Sequence, residues 1–317
     1  MRTITALFVG LGSIGTRHLK NLTNLCADRG WTLQADALRS DLSRPLRDGV
    51  AALLHAQYTD LADAPAHYDM VFITNPTSLH AAALTRVRGR GGALFIEKPI
   101  FSAEQTGLDL ADCLPAGQKA YVAAPMRWCG VMLALKDRLP GLHPYCARVI
   151  CSSYLPDWRP GVDYRTVYSA HKVMGGGVTI DLIHEWDYLV ELFGVPEKLY
   201  NFKGTYSDLE IDSDDLSVYI ARYPTLLAEV HLDYFGRGYR RSIELFCHDG
   251  SYLADFGAGT LTLPDGTVQH YEEDVNRRYE REMEYFVDYA LTGSGESCNP
   301  PALALNVLKL TLGENVQ

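Results

Sequence analysis

The run Gly10-Leu11-Gly12-Ser13-Ile14-Gly15 carries the most specific chemical signal in the chain, because glycines at this spacing let a backbone approach a dinucleotide pyrophosphate. Gly10 permits a sharp turn, Gly12 keeps a side chain out of the phosphate's path, and Gly15 lets the following helix lie against the preceding strand. Ser13 and Ile14 then open a helix whose positive end faces negative charge. Ordinary loops also contain such glycines, so context decides between a phosphate site and a plain turn. Here an apolar run at 4–9 reads as a strand and 13–26 as a helix, which supplies the required frame.

Further candidates fall at other element ends. Thr74-Asn75-Pro76 and Glu97-Lys98-Pro99 each close a strand-like run, where ligands gather in parallel sheets. Thr74, Asn75, Pro76 and His80 are candidate cofactor contacts, with helix capping by Thr77 or Ser78 and a structural role for His80 as competing uses. Arg39 and Ser40 follow the second strand-like run. A guanidinium beside a hydroxyl suits a ribose 2′-phosphate and favours NADP, while Asp36 or Asp41 keeps NAD open. Asp181 and His184 lie three apart in an expected helix over 181–193, a spacing that lets a carboxylate orient an imidazole that moves a proton. One His with Glu185 and Asp187 is an incomplete ligand set for tetrahedral zinc, so no catalytic metal is expected.

These residues need elements to hold them. Strand-like runs at 4–9, 33–38, 55–58, 70–74, 93–96 and 119–123 alternate with helical stretches, the rhythm of a parallel sheet covered by helices. Beyond 124 the pattern changes to a helix at 131–136, a strand at 147–154 and a Gly-rich entry to the 181–193 helix. Strands at 216–223, 226–234, 241–247 and 252–256 follow, with Asp-Gly and Pro separators that favour antiparallel connections. Helices are expected at 277–291 and 301–310. The expected fold class is therefore α/β: a Rossmann parallel sheet in a domain over 1–123, and an α+β domain with a mainly antiparallel open sheet over 124–317. The sheet of the second domain is a candidate surface for a homodimer or homotetramer, although a helix-covered monomer produces the same alternation.

With 317 residues and 47% hydrophobic content, the chain can bury two cores. Its 29 Lys and Arg against 39 Asp and Glu, a net charge of -10, disfavour nucleic acid as a partner. The 7 cysteines are scattered, odd in number and without a CxxC pair, which points to a reducing compartment rather than a disulfide framework. No signal-like segment and no bilayer-length apolar run stand out, so a cytoplasmic protein without membrane association is expected.

The segments GLGSIG, NPTSLH, EKP, MRW and GGGVTIDLIHEWDYLVELFG, in this order across nearly the whole chain, resemble the glucose–fructose oxidoreductase and inositol dehydrogenase (Gfo/Idh/MocA-like) superfamily. The resemblance implies a nicotinamide cofactor, NAD or NADP, on the first domain and an open sheet in the second that supports oligomerisation. It also implies hydride transfer between nicotinamide and a secondary alcohol or carbonyl of a sugar derivative. Lys98 of EKP would lie beside nicotinamide and substrate, where an ammonium stabilises developing oxygen charge and helps move a proton. A surface lysine held by Pro99 and a nearby carboxylate is the competing reading. Glu97 would orient Lys98 or the cofactor, or satisfy local donors. The family usually places His four residues after Asp, whereas here Glu185 occupies that position and His184 comes one earlier. Asp181, His184 and Glu185 thus share the candidate roles in proton transfer and substrate binding.

The stretch 158–168 is rich in aromatic faces, hydroxyls and guanidiniums suited to a sugar. Arg127, Arg159, Tyr164, Arg165, Tyr168 and Lys172 join Lys98, Asp181, His184 and Glu185 as candidate substrate contacts, with His171 a lesser one. Arg159 and Arg165 suit a carboxylate or phosphate, with pairing to acids of this chain as the alternative. The pattern resembles a branch acting on modified surface sugars, which implies a nucleotide sugar, sugar phosphate or sialic-acid-like substrate. Outside enzymes, the alternative is a nucleotide-responsive sugar-binding or regulatory protein without turnover.

Overall fold

Apolar and β-branched runs form the first sheet. A computed structural model describes residues 2–47 and 49–316. Its first strands and helices are β1 (Thr3–Val9), α1 (Ser13–Asp28), β2 (Thr32–Leu38), β3 (Ala56–Tyr58), β4 (Tyr68–Ile73), α2 (His80–Arg86), β5 (Gly91–Ile96), α3 (Leu110–Cys113) and β6 (Lys119–Val122). The six strands lie in the order β3-β2-β1-β4-β5-β6, all parallel. This is the doubly wound Rossmann order, and its switch point falls between β1 and β4.

The chain divides into two compact units, and the first comprises residues up to Pro125 together with Asn276–Leu305. A single boundary at 123/124 therefore needs correction. Most of helix α7 (Val275–Thr292) belongs with the Rossmann sheet. A parallel sheet must be covered on both faces, and α7 supplies Met283, Phe286 and Val287, all buried in that core. Phe286 lies 5.4 Å from Phe72 and 5.1 Å from Phe95 between ring centroids, continuing the stack that Phe8 and Phe72 begin at 4.4 Å. Glu282 of the same helix accepts hydrogen bonds from the Tyr121 hydroxyl (2.8 Å) and the Ala124 amide (2.6 Å).

The second unit comprises Met126–Val275 and the residues from Asn306 on. Its elements are α4 (Gly130–Arg138), β7 (Cys146–Tyr154), α5 (Val178–Asp181), α6 (His184–Phe193), β8 (Lys198–Gly204), β9 (Leu216–Arg222), β10 (Leu227–Asp233), β11 (Phe235–Cys247), β12 (Gly250–Asp255), β13 (Thr260–Thr262) and β14 (Val268–His270). A final helix, α8, spans Pro301–Thr311. The strand order is β14-β13-β12-β11-β7-β10-β9-β8, antiparallel except for the β7–β10 pair. Alternation along β7, β9 and β10 buries one face, through residues such as Val149, Tyr219 and Val230. Trp186 of α6 packs edge-on against Tyr219 at 5.2 Å and covers that face. The opposite face exposes Tyr200, Phe202 and Ile220.

The expected continuous helix over 181–193 is broken. α5 ends at Asp181, with Leu182 as its C-cap, and α6 starts at His184. The buried pair Leu182 and Ile183 turns between them, so Asp181 and His184 do not share one regular helical face. No described helix is long and apolar enough to cross a membrane.

Candidate active site

In the first unit the glycine turn is built at the switch point. Gly10 has φ +91°, and a Cβ there would sit 2.9 Å from the Asn75 Cα. A Cβ on Gly15 would lie 2.7 Å from both the Gly10 carbonyl oxygen and Thr74 Oγ1, so only glycine lets α1 start this close to the sheet. Thr74 donates to that same carbonyl at 2.6 Å, which makes its buried hydroxyl a brace of the turn. At Gly12 an added Cβ would meet nothing within 4 Å, and the helix N-terminus there has no side-chain cap. Asn75 Oδ1 is buried beside the turn without a hydrogen-bond partner. Open backbone at Gly12, a helix start at Ser13 and Ile14, and an unsatisfied amide group fit a dinucleotide pyrophosphate.

Strand β5 ends at Ile96 and delivers Glu97 and Lys98 beyond its carboxyl end. Glu97 is buried and accepts from His18 Nε2 at 2.6 Å and from the Lys98 amide at 3.1 Å. Burial pushes its carboxyl up, but the His18 hydrogen bond, the Lys98 ammonium and the Lys98 amide together hold it below the ordinary 4.5. Lys98 itself is half-buried, and its Nζ makes no hydrogen bond or ion pair with the described residues. Glu97 thus orients the Lys98 backbone while the ammonium stays available for chemistry. His18 escaped the sequence reading. Its position three residues beyond Gly15, on the inward side of α1, is the signal that could have found it.

Two expected cofactor contacts have other work. His80 is buried, with Nδ1 3.1 Å from the Ile100 carbonyl oxygen and Nε2 3.0 Å from that of Asn75. It ties the loop after β4 to the segment after Lys98, and burial, partly opposed by those carbonyls, lowers its pKa below 6.5. Asp36 is buried and accepts from the Tyr68 hydroxyl (2.8 Å) and His55 Nδ1 (3.2 Å). Pro76 and Ser40 are exposed. The Gly10 amide donates to the Leu38 carbonyl at 3.1 Å, so Arg39 begins immediately beside the glycine turn.

In the second unit Asp181 gathers three hydroxyl donors, Tyr168, Ser169 and Tyr234, each at 2.6 Å. Burial and then the Asp181 charge push both tyrosines up, so they remain donors at neutral pH. Tyr234 and Ser169 were not anticipated, since neither lies in a motif. His184 is half-buried at the start of α6. Trp158, Arg159 and Tyr164 line one recess, and the Arg159 guanidinium lies 5.9 Å over the Tyr168 ring. Lys172 is exposed, and its amide donates to Asp212 at 2.7 Å.

Three expected substrate contacts are paired with other groups of this chain. Glu185 is fully buried in a bidentate pair with Arg241 at 2.7 and 3.0 Å, because its place on α6 faces the covered side of the sheet. Arg127 is buried against Asp187 (2.9 and 2.8 Å) and Glu191 (2.6 Å), which neutralises a guanidinium that would otherwise be stranded. Arg165 is exposed but held by Asp163 and Glu210, the pairing with acids of this chain that competed with an anion-binding role. Among the described residues no group of three or more His, Cys, Asp or Glu is placed to hold a metal ion.

Comparison with known proteins bears on the fold. No curated protein matches the chain. Levoglucosan dehydrogenase, solved with NADH and levoglucosan, is 15% identical with a TM-score of 0.82, over 98% of this chain and 96% of that one. An oxidoreductase from Agrobacterium radiobacter, solved with NAD+, L-tartaric acid and magnesium, is 17% identical with a TM-score of 0.79, over 98% and 95%. The WlbA dehydrogenase from Bordetella pertussis, solved with NADH and UDP-GlcNAcA, is 19% identical with a TM-score of 0.74, over 98% and 95%. At these identities the likeness establishes the fold. Residues 4–122 match the model of the Gfo/Idh/MocA oxidoreductase family, described by its NAD-binding Rossmann fold. That segment of the chain is similar to the NAD-binding Rossmann domain of the Gfo/Idh/MocA oxidoreductases.

Proposed function

We propose that this protein transfers hydride between a nicotinamide dinucleotide and a secondary alcohol or carbonyl of a sugar derivative. The observation that carries the reading is Lys98, a half-buried ammonium without an ion-pair partner among the described residues, held at the end of β5 by the Glu97–His18 pair. When bound, the nicotinamide supplies the hydride chemistry. Lys98 Nζ stabilises charge on the reacting oxygen and takes or returns its proton. His184 is the proposed second proton carrier, and Asp181 with its three hydroxyl donors is the proposed polar support for sugar hydroxyls. Arg159 with Tyr168 adds a cationic and aromatic contact suited to an acidic or nucleotide sugar. The carbohydrate ligands of two structural neighbours, levoglucosan and UDP-GlcNAcA, support this substrate class.

The test is titration of the purified protein with NAD, NADH, NADP and NADPH, then addition of sugars, sugar phosphates, nucleotide sugars and sialic acids. Substrate-dependent change in nicotinamide absorbance is the expected result. Replacing Lys98 by Ala should leave dinucleotide binding near normal and slow the single-turnover step by about 10²- to 10⁴-fold. An intact single-turnover rate sinks the role of Lys98. Dinucleotide binding without turnover across the panel would instead make this a nucleotide-responsive sugar-binding protein.

A further inference from the structure

We infer that Arg237 and Arg240, on the bulged start of β11, form an anion subsite of the second unit that takes the diphosphate of a nucleotide-linked sugar. The inference rests on the reading of the Asp181 cluster as the sugar site and names the substrate class of that site. Pairing of β11 with β7 is interrupted between Phe235 and Arg240, and among the described residues Gly236, Arg237, Gly238 and Tyr239 pair with neither neighbouring strand. A bulge of this kind re-aims side chains at the end of a ladder. This one is anchored. Asp233 accepts from the Phe235 amide at 3.1 Å and the Gly236 amide at 2.7 Å, and a Cβ on Gly236 would lie 1.9 Å from Ser152 Oγ.

The Arg237 guanidinium lies 3.7 Å over the Tyr154 ring. Stacking covers its flat face and leaves outward the N–H edge that meets an oxyanion bidentately. Arg240 stands opposite Ser152, two residues before Tyr154 on β7, so both arginines occupy one side of the sheet. Both are exposed, and neither makes a hydrogen bond or ion pair with the described residues. In an acidic chain that is selective, since the exposed Arg148, Arg165 and Arg222 of the same unit each meet a carboxylate. The acids beside the bulge are engaged elsewhere. Asp233 is buried against His231 Nε2 at 2.9 Å as well as the two bulge amides, and Asp255 accepts from the Gly257 and Ala258 amides at 2.8 and 2.9 Å. Two guanidiniums without a counter-ion match the two charges of a diphosphate diester. The bulge also begins where the sugar site ends. Tyr234, whose hydroxyl donates to Asp181 at 2.6 Å, precedes Arg237 by three residues, a backbone span of at most about 11 Å. A diphosphate joined to a sugar at Asp181 runs along this span, and the exposed Tyr239 beside Arg240 offers its ring to the base.

The experiment titrates UDP, ADP and inorganic pyrophosphate into the intact chain by calorimetry, with and without saturating NADH or NADPH to fill the dinucleotide site. UDP should bind alongside the dinucleotide. The double variant Arg237→Ala/Arg240→Ala should weaken UDP and pyrophosphate about 10- to 100-fold, the range expected of charged hydrogen bonds, and leave dinucleotide affinity unchanged. Tyr239→Leu should weaken the two nucleotides and spare pyrophosphate, because only a base has a face to stack. Higher salt should weaken all three probes, since the arginines are exposed. No UDP binding to the dinucleotide-loaded chain, or UDP binding that the double variant leaves intact, overturns the inference while the dinucleotide reaction stands. A double variant that lowers the mass of the chain in light scattering without weakening UDP gives the arginines to an interface between copies and likewise overturns it. Failure of both dinucleotides to bind overturns the functional reading, and arginine-dependent UDP binding in that case still supports the anion subsite.

Discussion

The Glu97 carboxylate sits where chemistry and stability meet. It is buried, yet its hydrogen bonds to His18 and to the Lys98 amide, with the Lys98 charge nearby, favour its ionised form. Folding lowers this carboxyl below 4.5, so its contribution to stability is complete above that value and falls away as the pH drops through the lowered folded value. Glu97→Gln should remove that acid-side slope and destabilise the fold by about 1 to 3 kcal/mol at neutral pH through the weakened buried contact. Urea melts across the acid range check both, and an unchanged slope in the variant would falsify the assignment. His80 behaves alike in form but in another range. Burial lowers its pKa below 6.5, so its contribution is present above 6.5 and is lost as the pH falls towards the lowered folded value. Motif reading found Glu97 and Lys98 because they follow a strand-like run, but the His18 partner is 79 residues away and only folding brings it in.

At the scale of the strand–turn–helix element, the three glycines are not equivalent. Gly15→Ala places a Cβ 2.7 Å from a backbone oxygen and a braced threonine hydroxyl, so α1 must move. A loss of about 1 to 3 kcal/mol is expected, read as a lower Tm together with weaker dinucleotide binding. Gly12→Ala meets open space in the protein and should leave Tm nearly unchanged, while its methyl group obstructs the pyrophosphate and weakens dinucleotide affinity. If Gly12→Ala binds like the parent, phosphate does not pass over this turn. The strand runs of this element were legible from their apolar pattern, as was the helix start. The break at Leu182 and Ile183 was not, because the apolar spacing of 181–193 is helical throughout and the hydroxyls of Tyr168, Ser169 and Tyr234 that hold Asp181 come from elsewhere in the chain.

At the scale of the whole molecule, the return of α7 to the first unit makes the Rossmann sheet dependent on residues after 275. Phe286→Ala should cost about 3 to 5 kcal/mol, as expected for an aromatic ring removed from a closed core, and chemical denaturation measures it. A loss below 1 kcal/mol would show that α7 does not seal that face. In the second unit the register sets Tyr200 opposite Ile220 on the open side of the sheet, where both are exposed along with Phe202. A homo-oligomer through this face is expected by light scattering, with Tyr200→Asp/Phe202→Asp reducing its mass. A parent chain of monomer mass rejects it. What the sequence determined by itself was local: the glycine turn, the strand ends carrying Asn75 and Lys98, and the change from parallel to mainly antiparallel pattern beyond 124. These follow from short-range periodicity and backbone freedom, which need no knowledge of distant partners. Tertiary structure alone decided which charges remain available. Glu185, Arg127 and Asp36 read as candidate ligands in the sequence, and folding closes Arg241, Asp187 and Tyr68 around them, because a buried charge must find a partner wherever in the chain that partner lies.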